Sequence, residues 1–79
     1  MITRGNIVKS LAGHDKDKYY IVLEISDKRV LLVNGKTRKR ENPKQKNISH
    51  ISALNTQLYD INSMTDKKIR RLLQEIALK

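Results

Sequence analysis

The basic side chains between residues 36 and 46 are the part of this sequence best suited to binding chemistry. Six Lys and Arg side chains stand there against one acidic residue, Glu41. Guanidinium groups form two-point contacts with phosphate oxygens, and lysines act as mobile point charges beside them. The segment therefore predicts a phosphate-binding edge, with a solvated edge strand whose lysines prevent aggregation as the plainer alternative. The candidates are Lys36, Arg38, Lys39, Arg40, Lys44 and Lys46, with Asn42 and Asn47 as further polar contacts.

The chain as a whole is also strongly basic. Its 79 residues carry 17 Lys and Arg against eight Asp and Glu, so the formal net charge is +9. The basic segment holds +5 of this charge, which leaves +4 for all other residues. A charge kept only for solubility would be spread along the chain and mixed in sign. We therefore expect a polyanionic partner, with nucleic acid as the leading candidate.

A second candidate segment, residues 13–18, combines glycine with short polar and basic side chains. Asp15 and Asp17 lower its positive charge, and they can instead shape a turn through hydrogen bonds to the backbone. Contact with RNA and a plain connecting turn both stay open for this segment. Its basic candidates are His14, Lys16 and Lys18.

The sequence contains no constellation that is typical of an enzyme. Catalysis needs a nucleophile with its base, paired carboxylates or a metal cluster held at fixed geometry. The chain has no cysteine, and His14 and His50 lack the spacing of metal ligands. Its three glycines form no phosphate-binding loop. We therefore expect no enzymatic activity, no cofactor and no metal.

The aromatic residues are few, and they bear on the kind of RNA that could be bound. Tyr19, Tyr20 and Tyr59 are the only ones in the chain. Single-strand binders stack successive bases on exposed rings, and three tyrosines cannot form such a platform. We expect Tyr19 or Tyr20 to pack in the core. The scarcity of aromatic rings favours recognition of structured RNA by shape and phosphate contacts.

Short β-type runs precede the basic segment. Apolar and partly exposed positions alternate in residues 20–25, which predicts a strand, and residues 26–28 predict a turn. Residues 30–33 predict the next strand. The dipeptide Asn34-Gly35 suits a two-residue type I′ hairpin, so a further strand would begin at Lys36.

The later β-type residues complete a small mainly β fold. Pro43 would end the strand that begins at Lys36, because proline has no amide for the hydrogen-bond ladder. Residues 48–51 predict one more short strand. Four or five short strands bury an aliphatic face most easily by curling into a small barrel. We expect residues 1–53 to form this barrel and residues 54–79 to form a C-terminal helical extension packed on it.

The C-terminal residues have helical periodicity, with an apolar stripe at Ile69, Leu72, Leu73 and Ile76. Thr65 is placed to cap the helix, and Asp66 lies at the positive end of its dipole. We expect the stripe to dock on the barrel, because a membrane-surface helix would need aromatic anchors. The spacing of Leu54, Leu58 and Ile61 indicates a shorter helix before this one. The expected solvated face comprises Lys67, Lys68, Arg70, Arg71 and Gln74.

Residues 5–25 resemble a KOW motif, the SH3-like barrel element of several ribosomal and transcription-elongation proteins. Residues 30–51 are similar to a narrower group, which comprises small bacterial KOW-domain RNA-binding proteins and KOW-bearing large-subunit ribosomal proteins of archaea and eukaryotes. The most specific match is Arg38-Lys39 followed by the run Glu41-Asn42-Pro43-Lys44. Residues 65–70 look like the tail of the bacterial members, so the resemblance covers nearly the whole chain.

Two positions depart from this pattern, because many KOW motifs have glycine where this chain has Asp17 and Tyr20. Asp tolerates the positive φ of a turn, and Tyr20 is expected in the strand. The resemblance implies an SH3-like barrel that binds ribosomal RNA, with ribosomal proteins as an open second class of partner and a monomer away from the ribosome. An SH3-like module that binds proteins of the transcription or translation machinery is the alternative function.

The expected location is the cytoplasm. The longest uninterrupted apolar stretch, residues 19–23, is far shorter than the ~20 residues of a membrane span. The first residues lack the apolar segment of a signal peptide. A chain without cysteine also suits a reducing compartment. We therefore expect no membrane partner.

Overall fold

A computed structural model describes residues 2–55 and 58–78 of the chain. The fold is mainly β, as predicted, with a five-stranded antiparallel sheet and one C-terminal helix. The strands are β1 (Ile7–Ser10), β2 (Tyr19–Ser26), β3 (Arg29–Val33), β4 (Lys44–Asn47) and β5 (Ile51–Ala53). The helix α1 spans Asp66–Ala77, and two short 3-10 helices span Ile48–His50 and Ile61–Ser63.

The sheet has the strand order β4-β3-β2-β1-β5. Within the described residues no pairing joins β4 to β5, so the sheet is not closed into a complete barrel. A register shift between Val22 and Glu24 marks a bulge in β2, and bulges bend a strand and increase its twist. The result is consistent with a small barrel-like fold whose two end strands stay unpaired with each other.

Aliphatic side chains are buried on both faces of the sheet. One cluster lies between the sheet and α1 and contains Ile7, Ile21, Val33, Ile61, Ile69 and Leu73. The other lies on the opposite face and contains Val8, Tyr20, Val22, Val30, Leu32 and Ile51. Each fully buried side chain of this size contributes roughly 1.5–3 kcal/mol through removal from water. The helix therefore covers one face of the sheet.

Several local predictions are confirmed. The turn between β2 and β3 contains Asp27 at φ 55°, and Tyr20 is a buried strand residue. Asp17 adopts the positive φ that its turn requires, 71°. Thr65 caps α1, because its side-chain oxygen accepts a hydrogen bond of 3.2 Å from the Lys68 amide. The apolar stripe of α1 docks on the sheet as predicted.

The prediction of a hairpin at Asn34-Gly35 and a strand from Lys36 is wrong. Residues 34–43, the β3–β4 loop, contain no strand, and Pro43 precedes β4 rather than ending a strand. Gly35 has φ 74°, but Asn34 does not have the positive φ that a type I′ turn requires. Its side-chain Oδ1 instead accepts hydrogen bonds from the amides of Lys36 (2.9 Å) and Arg38 (2.8 Å). This local bonding folds the chain into a compact loop.

Two further predictions need correction. The strand expected over residues 48–51 is a 3-10 helix as far as His50, and β5 begins only at Ile51. The short helix expected around Leu54, Leu58 and Ile61 is not formed at residues 54, 55 and 58–60, and Thr56 and Gln57 lie outside the described residues. Leu54 and Ile61 nevertheless pack in the cluster beside α1. Their spacing reflects burial in an irregular segment.

Candidate nucleic-acid interface

The β3–β4 loop is attached to the N-terminal end of α1. The Arg40 amide donates a 2.9 Å hydrogen bond to Asp66 Oδ1, and the Arg40 guanidinium donates to the Ile61 carbonyl oxygen. Gly35 packs directly on the helix backbone, where a Cβ would overlap the Asp66 carbonyl and crowd the Arg70 amide. Only glycine combines this close approach with a positive φ. The loop and the first turn of the helix therefore form one unit.

The β1–β2 loop, residues 11–18, is attached to β4 by a buried ion pair. Lys46 Nζ lies 2.8 Å from Asp15 Oδ1, and the two side chains are only 10% and 9% exposed. Ser10 Oγ donates a 2.9 Å hydrogen bond to the same carboxylate oxygen. Asp15 Oδ2 has no hydrogen-bond partner among residues 2–55 and 58–78, but it lies 3.7 Å from Lys44 Nζ. These contacts connect the end strand β4 to the loop between β1 and β2.

The charges around Asp15 fix its protonation state. Burial alone raises the pKa of Asp15, but hydrogen bonds from Lys46 and Ser10 and the positive charges of Lys46 and Lys44 outweigh it and lower the pKa to about 2. Burial and the negative charge of Asp15 raise the pKa of Tyr20 to about 12, although Arg38 acts in the opposite direction. Asp15 is therefore ionised and Tyr20 is protonated at neutral pH.

An open groove lies where the β1–β2 loop, the β3–β4 loop and α1 meet. Its volume is about 510 Å³. We call it the cationic groove. Its polar lining consists of Asp17, Lys18, Asn34, Lys36, Thr37, Arg70 and Gln74. Its apolar lining consists of Tyr19, Leu73 and Ala77.

The cations of the groove are free to bind an anion. Within residues 2–55 and 58–78, no Asp or Glu oxygen lies within 4.0 Å of the charged nitrogens of Lys18, Lys36 or Arg70. All three residues are exposed. The acidic member of the lining, Asp17, lies 3.5 Å from Lys9 Nζ. The groove therefore carries a net positive charge, which attracts phosphate groups.

The structure brings together only part of the basic candidates predicted from sequence. Lys18 and Lys36, which are 18 positions apart, line the same groove. Arg38 is half-buried and Lys39 is exposed on the β3–β4 loop, and His14 and Lys16 are exposed on the β1–β2 loop. Because residues 36–42 are not a strand, strand alternation does not place Arg38 and Arg40 beside Lys36.

Other candidates already have partners inside the chain. Lys46 and Lys44 face Asp15, and the Arg40 guanidinium binds a backbone carbonyl. Asn47 caps the 3-10 helix Ile48–His50, because its side chain accepts a 2.9 Å hydrogen bond from the Ser49 amide. Asn42 is exposed in the turn that precedes Pro43. None of these side chains lines the groove, and those with partners stabilise the fold around it.

Arg70 and Gln74 are exposed, as the sequence predicts, but the sequence does not indicate that they line a groove. Their separation of four residues places them on one side of α1. The signal that could have identified this side is Gly35, whose backbone lies against the backbone of α1 at Asp66 and Arg70. A glycine shortly after a strand is consistent with such a close approach, but it does not specify the partner.

Two further observations concern the part of the chain that the structure describes. Among these residues no group of three or more His, Asp and Glu side chains could hold a metal ion. None of the helices in residues 2–55 and 58–78 has both the length and the apolar character needed to cross a bilayer.

Neither a protein-family model nor a curated protein matches this chain. The cationic groove and the two loops beside it therefore supply the grounds for a functional assignment.

Proposed function

We propose that this protein is a non-enzymatic RNA-binding protein that contacts structured ribosomal RNA through the cationic groove and the two loops beside it. The observation that carries the proposal is the convergence of Lys18, Lys36 and Arg70. These cations come from the β1–β2 loop, the β3–β4 loop and α1, and each is exposed and lines the same groove. Cations that converge from distant segments define a site on the folded protein, whereas a run of lysines in the sequence does not.

The surroundings of the groove extend this positive surface. Arg38 and Lys39 follow Lys36 on the β3–β4 loop, and Lys16 precedes Lys18 on the β1–β2 loop. Each phosphate that such a side chain neutralises releases condensed counterions, which drives association at low salt. His14, exposed on the same loop, can add a hydrogen bond to a phosphate or base edge. The protein can thus follow an RNA backbone over several phosphates.

The loop that carries most of this charge is ordered by its own contacts. Asn34 holds the amides of Lys36 and Arg38, and the Arg40 amide is held by Asp66. Binding therefore needs little additional ordering of the backbone, which lowers the entropic cost of association. This arrangement suits a rigid partner such as folded RNA, whose phosphates also have fixed positions.

We further propose that the fold is an SH3-like barrel of the KOW type. It is supported by the short antiparallel strands and by the positive φ values of Gly13 (88°) and Asp17 (71°) in the loop after β1. The sequence resemblance of residues 5–51 points to the same group and supplies ribosomal RNA as the target. Binding to a protein of the transcription or translation machinery is the competing outcome.

The test is an RNA titration of two variants that each lose one Lys and one Arg. Lys36→Gln with Arg70→Gln removes charge from the groove, whereas Lys28→Gln with Arg29→Gln removes it from the far end of the β2–β3 hairpin. At 100 mM salt we expect the groove variant to lose about tenfold or more in affinity for a folded ribosomal RNA fragment, and the control variant to lose clearly less.

The outcomes distinguish a site from general charge. Equal losses in the two variants would mean that net charge alone binds RNA and that the groove is not the site. No measurable RNA binding by the unaltered protein would exclude the proposed function and favour a protein partner. Circular dichroism melts of both variants show whether either substitution affects folding.

A further inference from the structure

We infer that the cationic groove holds one unpaired nucleotide of the RNA, with its base against Tyr19 and its phosphate between Lys36 and Arg70. This inference rests on the proposed function and specifies which part of the RNA enters the groove. A paired base is enclosed in the stack of its helix and cannot reach a concave site without leaving it. An unpaired or bulged nucleotide has no such restriction.

The dimensions of the groove suit a ligand of this size. Its volume of about 510 Å³ lies within the ~300–1,000 Å³ of typical small-molecule sites. Because the groove opens to solvent between two loops and a helix, a nucleotide can enter while its neighbours remain outside. Lys16 and Lys39 are exposed on the two loops that border the groove, and they are available to the flanking phosphates.

The lining combines an apolar part and a polar part, as a nucleotide requires. Half-buried Tyr19 and exposed Ala77 provide apolar surface for the faces of a base, beside the buried Leu73. A single base needs a single ring for stacking, so the shortage of aromatic residues in the chain does not count against this site. Lys36 and Arg70 provide positive charge for one phosphate.

Gln74 is the side chain best able to contact the base edge. Its amide both donates and accepts hydrogen bonds, and within the described residues it makes no side-chain hydrogen bond. The other amide of the lining, Asn34, is occupied by the backbone of its own loop and by Thr37. Gln74 therefore contributes hydrogen bonds to the bound base, and Asn34 keeps the loop in place.

The experiment compares two RNA hairpins that differ by one nucleotide. One is fully paired with a stable loop, and the other carries a single bulged uridine in the middle of the stem. We expect the unaltered protein to bind the bulged hairpin about tenfold more tightly, because the bulged base can stack on an aromatic ring. With 5-iodouridine at the bulge, ultraviolet crosslinking should attach the RNA to Tyr19.

Two variants and a matched control assign the preference to the groove. Tyr19→Leu keeps an aliphatic side chain against the core, and Gln74→Ala changes an exposed helix residue. We expect both variants to lose most of the preference for the bulge, so that their affinities for the two hairpins become similar. Gln45→Ala, at an exposed position of β4, should keep the preference.

The other possible results would contradict either the nucleotide site or the proposed function. Equal affinity of the unaltered protein for the two hairpins would exclude the nucleotide site and leave the proposed function standing. A preference that survives in both groove variants, or a crosslink outside the groove, would place the unpaired nucleotide elsewhere. Absence of binding to either hairpin and to ribosomal RNA fragments would exclude the proposed function itself.

Discussion

The two halves of the basic segment, residues 36–39 and residues 44–46, have similar composition but opposite roles in the structure. In the first half Lys36 lines an open groove, and no acidic partner lies within 4.0 Å of it in the described part of the chain. In the second half Lys44 and Lys46 face Asp15, and the Lys46 side chain is only 10% exposed. A local density of lysines therefore does not identify a binding surface.

The difference arises from one carboxylate. Asp15 is buried, and a buried negative charge is costly unless a positive group and hydrogen bonds compensate it. The lysines that compensate it are held inside the protein and are withdrawn from any partner. Within the described residues, the cations that remain available to a partner are those for which the fold provides no such acid. A lysine or arginine of a basic segment is therefore a candidate for binding only where no buried acid holds it.

The largest expected effect concerns the contact that places the first half beside the helix. We expect Gly35→Ala to lower the free energy of unfolding by about 3 kcal/mol or more. Alanine there is strained at φ 74°, and its Cβ would overlap backbone atoms of α1 that cannot move independently. Urea denaturation measures the loss.

Gly13→Ala is the matched control for this change. Its φ of 88° imposes the same kind of backbone strain, but a Cβ there would meet only side-chain atoms, at 3.4 Å and 3.6 Å. We expect a loss of about 1–2 kcal/mol from strain alone. Equal losses at both glycines would mean that the close approach of Gly35 to the helix contributes nothing to stability.

The next prediction compares one lysine from each half. We expect Lys46→Met to lower the free energy of unfolding by about 2–3 kcal/mol, because Asp15 would lose its main partner, although it would keep Lys44 and Ser10. Lys36→Met should change stability by less than about 0.5 kcal/mol, since Lys36 is exposed and unpaired in the described structure. Similar losses would show that the two halves do not differ in role.

Sequence predicted the elements whose signals are local. The helix was found through its apolar period and the capping residue Thr65, and β2 and β3 through their alternating or continuous apolar runs. The β3–β4 loop was mispredicted because Asn34-Gly35 is compatible with both a tight hairpin and a longer turn. Which of the two forms depends on the side-chain hydrogen bonds of Asn34 and on the packing of Gly35 against α1. The helix residue that Gly35 approaches, Asp66, lies 31 positions away in sequence.

The candidate site was predictable only in part, for a related reason. Exposed basic residues such as Lys18 and Lys36 are identified by type, but the ion pair that removes Lys46 joins residues 31 positions apart. No local pattern distinguishes a lysine with such a partner from one without it. Arg70 and Gln74 carry a spacing that places them on one side of a helix, and only the docked structure shows that this side meets the loop.

The smallest expected effect is a loss of stability at low pH. It depends on the lysines of residues 44–46 and not on Lys36. The pKa of Asp15 is about 2 in the folded protein, below the ordinary value of 3.8 that applies when the chain is unfolded. Its ionised form therefore stabilises the fold above about pH 5, and this contribution is lost as the pH falls toward 2. Allowing for partial solvent screening, we expect it to amount to about 1–2 kcal/mol.

Comparison with Asp15→Asn isolates this contribution from the other carboxylates, which titrate over the same range. The unaltered protein should lose more stability than the variant between pH 7 and pH 2.5, and urea denaturation at both pH values measures the difference. Tyr20 does not interfere, because its pKa is raised to about 12 and it stays protonated throughout.

In Lys46→Met the acid-dependent loss should shrink, since Lys46 supplies both a hydrogen bond and a charge that lower the pKa of Asp15. Lys36→Met should retain the full loss, because Lys36 is not among the groups that shift this pKa. An identical acid dependence in these two variants would mean that the lysines of β4 do not hold Asp15 in its ionised form, and the distinction between the two halves of the basic segment would fail.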